Sequence, residues 1–173
     1  VVIDAERGLE SQDVNIIGLA ARQGKGLVIF VNKWDLITKD TMTAEKMRKE
    51  MLQAIAPIDY APILFGSATE KQRIFQAMEK AVNVCENRSR KIATSALNDA
   101  MLPEIVHYPP PAMKGKLIQI KYITQVPAKT PSIVFFCNLP QYVADSYKRF
   151  LENRMREKFD LEGTPLRLFF RKK

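Results

Sequence analysis

Residues 26–31, GLVIFV, form an apolar run with no alternation, and it ends abruptly on Asn32, Lys33, Trp34 and Asp35. A strand-length run of this kind must bury both faces, which favours a parallel sheet covered by helices on each side. The flanking sequence repeats the pattern. Residues 1–3, VVI, form a short β-branched run ending in Asp4, and residues 61–65 form a third after Pro57. Between these runs, residues 11–23 open on a capping-type Ser11, place Val14, Ile17 and Ala21 at helical spacing, and stop at Gly24. Residues 43–56 put Met47, Met51, Leu52 and Ile55 on one stripe. Residues 72–91 predict a longer helix with Ile74, Met78, Ala81, Val82 and Cys85 inward. Strand and helix alternate three times, the grammar of an α/β sheet. In such sheets ligands sit beyond the carboxyl ends of the strands, where residues 32–35 fall.

After residue 91 the pattern changes. A helix is expected from about Thr94 towards Leu102, with Pro103 breaking or restarting it before the stiff triple proline at 109–111. Residues 117–126 alternate, which assigns Ile118, Ile120 and Tyr122 to one face and Gln119 and Lys121 to the other. Residues 132–138 read as a second strand. Residues 143–159 read as an amphipathic helix with Lys148, Arg149, Arg154, Arg156 and Lys158 on its polar face. A last strand alternates Leu166, Leu168 and Phe170 with Arg167 and Arg171. This order gives a small α+β domain, and the boundary is placed near residue 92, with domains at 1–91 and 92–173.

Charge separates the halves too. Residues 1–91 hold 14 Lys and Arg against 12 Asp and Glu, whereas residues 92–173 hold 13 against 7, within a net charge of +8. A basic second half points to an anionic partner, with a mixed soluble surface as the alternative. Cys85 and Cys137 have no CxxC or histidine neighbour, which argues against a zinc site or disulfide framework and fits a reducing cytoplasm. With His107 the only histidine, beside the proline run, a histidine-based nucleophilic mechanism is not expected. No apolar run approaches a membrane span, and the opening VVIDAERG is not a signal peptide.

The Asn32–Asp35 tetrad suits a guanine edge. An amide can meet the N7 and O6 acceptors, and a carboxylate accepts from N1–H and N2–H together, a pair adenine does not offer. The carbon stem of Lys33 can lie over the base plane while Trp34 packs away from it. Chance alone would spell N-K-x-D in roughly a couple of per cent of chains this long. Its position after a buried strand reduces that, and so does the Ser67-Ala68 turn one helix and one strand later, whose Ala68 N–H can face O6.

The residues IDAERGLESQDVNIIGLA, VNKWDL, the Ser-Ala turn, ITQVPAKTPSIVFFCN and SYKRFLENRMREKFDLEGTPLRLFFRKK closely resemble the EngA/Der family of bacterial GTPases over essentially the whole chain. That family carries two GTPase domains in tandem and a C-terminal KH-like domain, and is implicated in large-ribosomal-subunit assembly. The resemblance implies the back half of the second P-loop GTPase domain followed by the KH-like domain. It makes Asn32, Lys33 and Asp35 the guanine-specificity motif and Ser67 and Ala68 the supporting loop. GTP or GDP is the implied ligand and Mg²⁺ the implied ion. The implied partners are the ribosomal large subunit with its rRNA and the upstream GTPase domains of the same chain. One departure is that the loop continues through Thr69, Glu70 and Lys71 where a glycine-bearing turn is usual.

None of the seven glycines sits in G-x-x-x-x-G-K-[ST], so the phosphate cradle and the Mg²⁺ ligands of a GTPase are not in these residues. The D-x-x-G match at Asp160–Gly163 follows a helix in the second domain and is read as chance. The chain therefore reads as a segment of a longer protein. On its own it is expected to be inactive, with no catalytic residues and weak or undetectable GTP binding. The KH signature G-x-x-G is absent as well, so the usual RNA clamp is not expected. The basic helix face, Arg167, Arg171, Lys172 and Lys173 are candidates for rRNA phosphate contacts, against the plainer reading of a solvated helix face with the sheet docking on the GTPase domains. Phe135, Phe136 and Phe169 are assigned to the core. The competing function is a non-enzymatic RNA-binding or docking module that retains a remnant G domain.

Overall fold

The computed structural model describes residues 1–38, 42–113 and 115–172. They form two compact units, Val1–Arg88 with Glu162–Pro165, and Ser89–Leu161 with Leu166–Lys173.

In the first unit, β1 (Val2–Asp4), β2 (Ile29–Asn32) and β3 (Ile63–Phe65) make a parallel sheet in the order β1-β2-β3. The helices are α1 (Ser11–Arg22), α2 (Thr43–Ala54) and α3 (Ile74–Ser89). Ile3, Ile29, Val31, Ile63 and Phe65 from one sheet face meet Ile17 of α1 and Met51 of α2 in one buried cluster. The cap of α1 is Glu10 and not Ser11: the Glu10 N–H donates to the Asp13 carboxylate at 3.0 Å, closing a capping box one residue earlier than expected.

The helix α3 departs from its expected orientation. Met78 is 62% and Val82 57% exposed, Ala81 and Cys85 are exposed, and Val84 and Asn87 are the residues buried. The periodicity located an apolar stripe correctly, but the three strands present do not cover it. Val84 turns inward because Gly163 and Gly26 pack against it. Gly163 has φ +67°, its N–H donates to the Tyr60 carbonyl at 2.8 Å, and its carbonyl accepts from the Leu27 N–H at 2.7 Å. Residues 162–165 thus complete the first unit from far along the chain, and Gly163 serves as a structural strap.

In the second unit, α4 (Thr94–His107) and α5 (Asp145–Lys158) pack on one face of β4 (Ile120–Val126), β5 (Ser132–Cys137) and β6 (Arg167–Lys172). The sheet order is β4-β5-β6, with β4 antiparallel and β6 parallel to β5. The helix α4 continues through Pro103. An internal proline costs about 3 kcal/mol. Burial of Ile105 beyond it, with Leu97 and Met101 before it, contributes about 1.5–3 kcal/mol per side chain and outweighs the break.

The alternation expected of residues 117–126 also fails in one place. Residues 117–119 lie outside the ladder, held by the Asn138 side chain, which bonds the Gln119 N–H and the Leu117 carbonyl at 2.9 Å each. An irregularity between Ile120 and Tyr122 then shifts the register. One extra residue exchanges the faces. Ile120 and Ile123 both enter the core, and Tyr122 turns to the opposite side, beside Phe136.

Candidate functional site

The strands β1, β2 and β3 end together. Asp4 pairs with Asn32 in the β1–β2 register, and β3 ends at Phe65, the partner of Val31. Beyond β2 the chain turns through Lys33 in the left-handed region, φ 61°, into a short 3₁₀ turn at Trp34–Leu36. The turn is fastened on both sides. The Ala5 N–H donates to the Asn32 carbonyl at 2.9 Å, the Trp34 N–H to the Gly66 carbonyl at 3.0 Å, and the Gly66 N–H to the Val31 carbonyl at 2.9 Å. Trp34 is buried and packs on Phe65, ring centroids 4.6 Å apart, as its inward role requires.

The loop after β3 is built without the glycine turn. Ser67 and Gln72 exchange backbone bonds of 3.2 and 2.8 Å, and the Ser67 hydroxyl accepts the Glu70 N–H at 3.1 Å. Lys71 and Arg73 take left-handed φ values of 54° and 59°. With Lys33 these are the described non-glycine residues with positive φ, and all lie in the two loops of this rim. Each such residue costs about 1–2 kcal/mol, a strain that clusters where a loop must hold a fixed shape.

Asn32 and Ala68 meet directly: the Ala68 N–H donates to Asn32 Oδ1 at 2.9 Å. Because a backbone N–H requires an acceptor, this contact fixes the orientation of the amide and leaves Nδ2 as its outward donor. Asp35 is exposed, and no group among the described residues bonds to its carboxylate. A donor and an acceptor-only group thus stand on one turn.

Lys33 is not loose. Its Nζ lies 2.7 Å from Asp4 Oδ2 and 3.8 Å from Glu6. The hydrogen bond from Lys33, reinforced by the Glu6 N–H, holds the Asp4 carboxyl below the usual carboxylate range, and Asp4 raises the Lys33 ammonium in turn. The Lys33 stem therefore spans from the end of β2 towards the end of β1. Asp4 and Gly66 were not anticipated as rim residues. The signal was available: each ends or follows a strand at the level where Asn32 ends β2.

The basic residues of α5 are largely neutralised. Lys148 pairs with Asp145 at 2.8 Å, Arg154 with Glu157 at 2.6 Å, Arg156 with Glu152 at 2.8 Å, and Lys158 with Glu104 at 3.0 Å. Arg149 is exposed and makes no ion pair within 4 Å among the described residues, although, after Lys148, its charge helps hold the Asp145 carboxyl low. Arg167 and Arg171 lie on β6, opposite Ser132 and Phe136, away from the helices. Lys172 follows them, and Lys173 lies outside the described residues. Phe135 is fully buried, but Phe169 is 42% exposed, so its assignment to the core does not hold. It shares the outer face with Arg167 and Arg171, because Leu168 and Phe170 take the inner one.

Among the described residues no three His, Cys, Asp or Glu gather into a metal-sized group, and no helix is long and apolar enough to cross a membrane. Residues 1–104 match the family model of the elongation factor Tu GTP-binding domain, and residues 91–171 match that of the C-terminal KH-domain-like region of EngA bacterial GTPase enzymes. The chain is 54% identical over its full length to GTPase Der of Cytophaga hutchinsonii, 56% to that of Amoebophilus asiaticus and 53% to that of Bacteroides fragilis. It spans about 40% of the length of each of these relatives. With a GTP-binding domain matched over its first part, the EngA C-terminal domain over its second and this identity throughout, the chain belongs to the EngA, or GTPase Der, family of bacterial GTPases.

Proposed function

We propose that these residues read the guanine base for a GTP hydrolase and supply its KH-like domain, and that the intact protein acts in the cytoplasm in assembly of the large ribosomal subunit. The observation that carries the guanine reading is the fixed Asn32 amide on the same turn as the Asp35 carboxylate, which has no partner among the described residues. Asn32 Nδ2 donates to N7 or O6, and the two oxygens of Asp35 accept from N1–H and N2–H. The Lys33 stem, tethered at Asp4, roofs the base. Ser67 and Ala68 hold Asn32 in place, and any donation from the Ala68 N–H to O6 is shared with its bond to Asn32. A base that leaves these groups unpaired is penalised by their desolvation, about 1–3 kcal/mol per group.

The phosphates and Mg²⁺ are assigned to residues outside this chain, within the stretch of its relatives that it does not span. The exposed apolar residues Val2, Phe75, Met78 and Val82 support docking of upstream GTPase residues on this unit. The KH-like domain is assigned to rRNA, with Arg149 and Arg171 as phosphate contacts and Arg167 and the paired cations Lys148, Arg154, Arg156 and Lys158 as weaker ones. Inosine triphosphate lacks the exocyclic amine, so the full-length protein should bind it at least tenfold more weakly than GTP. Equal affinity would remove Asp35 from base recognition. A gene with no P-loop and no D-x-x-G ahead of Val1 would leave a docking module in place of the enzyme.

A further inference from the structure

We propose that the outer face of the second unit's sheet is a stacking platform for single-stranded RNA. Helices α4 and α5 occupy the inner face. On the outer face the register aligns Tyr122, Phe136 and Arg171 across the three strands, and Phe169 lies one row along, across from Val134. Tyr122 is 40% and Phe169 42% exposed, and the Tyr122 and Phe136 rings lie 5.8 Å apart. At the end of this face, Lys121, Phe136, Cys137, Asn138 and Lys172 line a cavity of about 270 Å³.

Charge identifies the occupant. None of the three strands carries Asp or Glu, and neither does any residue from 109 to 144. The carboxylates of residues 89–161 lie on α4, on α5 or just beyond α5. Lys121, Arg171 and Lys172 therefore have no acidic partner among the described residues, in contrast to the paired cations of α5. Exposed rings bind the faces of bases that are not locked in a duplex, and unpaired cations beside them hold phosphates. Tyr122 and Phe169 stand two strands apart and one row along, about 12 Å by ordinary strand geometry, which suits bases that are not adjacent on an extended strand. Without a G-x-x-G loop, the usual KH clamp is not available to do this.

The proposal rests on the reading that the protein works on rRNA, and the two fail separately. The test is fluorescence anisotropy of the full-length protein with a labelled decauridylate and with a ten-base-pair RNA duplex. Tyr122→Ala and Phe169→Ala should each weaken the single strand about tenfold, with unchanged circular dichroism and melting temperature, while Phe169→Trp retains binding. Replacing Lys121, Arg171 and Lys172 by Gln together should reduce the slope of log affinity against log salt by about 2. Unaltered affinity in both alanine variants, or a duplex bound as tightly as the single strand, would overturn the platform. So would self-association or capture of a ribosomal protein, without RNA binding, that Tyr122→Ala abolishes. Co-sedimentation of the full-length protein with large subunits addresses the wider reading independently.

Discussion

Replacing Gly66 by alanine should damage the rim more than any change of polarity there. A Cβ on Gly66 would lie 2.8 Å from two carbons of the Phe30 ring and closer still to the Gln72 carbonyl oxygen. Ordinary contact is about 3.5 Å or more. Phe30 is itself buried, and Gln72 holds the Ser67 N–H, so neither neighbour can retreat without loss. Overpacking of this size costs about 1–3 kcal/mol, and releasing one backbone bond of the Ser67–Gln72 ring adds about 1 kcal/mol. The expected total of about 2–4 kcal/mol is a large part of the stability of a small domain. Trp34, the only tryptophan, sits between Phe65 and the Gly66 carbonyl and makes denaturation of this rim readable by fluorescence. In a Phe30→Leu background the same glycine substitution should cost less, with a coupling of at least about 0.5 kcal/mol. A Gly66→Ala protein with the wild-type midpoint and emission would refute the steric argument.

The Asn98 side chain bonds both the N–H and the carbonyl of Ile123, at 3.0 and 2.8 Å, and so covers the exposed edge of β4. Asn98→Ala strands two polar groups of a buried residue and should cost about 2–3 kcal/mol, with loss of hydrogen-exchange protection at the Ile123 amide. Burial pushes the Tyr147 hydroxyl, which donates to the Tyr108 carbonyl at 2.8 Å, up to about 12. The folded state therefore holds this proton more tightly than the unfolded state. Its contribution is complete below about pH 10 and is lost as pH rises towards 12. Tyr147→Phe should flatten that alkaline decline in urea midpoints while lowering stability at pH 7 by about 1 kcal/mol. The 173-residue chain alone should show little heat of GTP binding in calorimetry, because the groups that hold phosphates are assigned elsewhere.

The sequence carried the sheet grammar because unalternated runs such as residues 26–31 can be buried in few ways, and Asn32 and Asp35 were recognisable from their place after such a run. What it did not carry was set by contacts distant in sequence. The burial of Val84 depends on Gly163, about eighty residues later, and the tether of Lys33 depends on Asp4, across the β1–β2 register. Tyr122 was misplaced because an irregularity in β4 leaves no mark in a pattern of alternating apolar residues. The basic face of α5 was legible as composition, and its pairing with Asp145, Glu152 and Glu157 follows the three- and four-residue spacing within that helix. The pairing of Lys158 with Glu104 needs α4 placed beside α5.

Base selectivity of Asp35→Asn in the full-length protein tests the central claim most directly. An amide at this position keeps one acceptor and gains a donor, so it can no longer accept from both N1–H and N2–H of guanine. It can instead serve xanthine, which carries a carbonyl where guanine has its amine. Competition binding with GTP and xanthosine triphosphate should show GTP affinity reduced at least tenfold and the preference moved towards xanthine. A variant that still prefers GTP by the wild-type ratio would contradict the assignment of residues 32–35 as the base-reading rim.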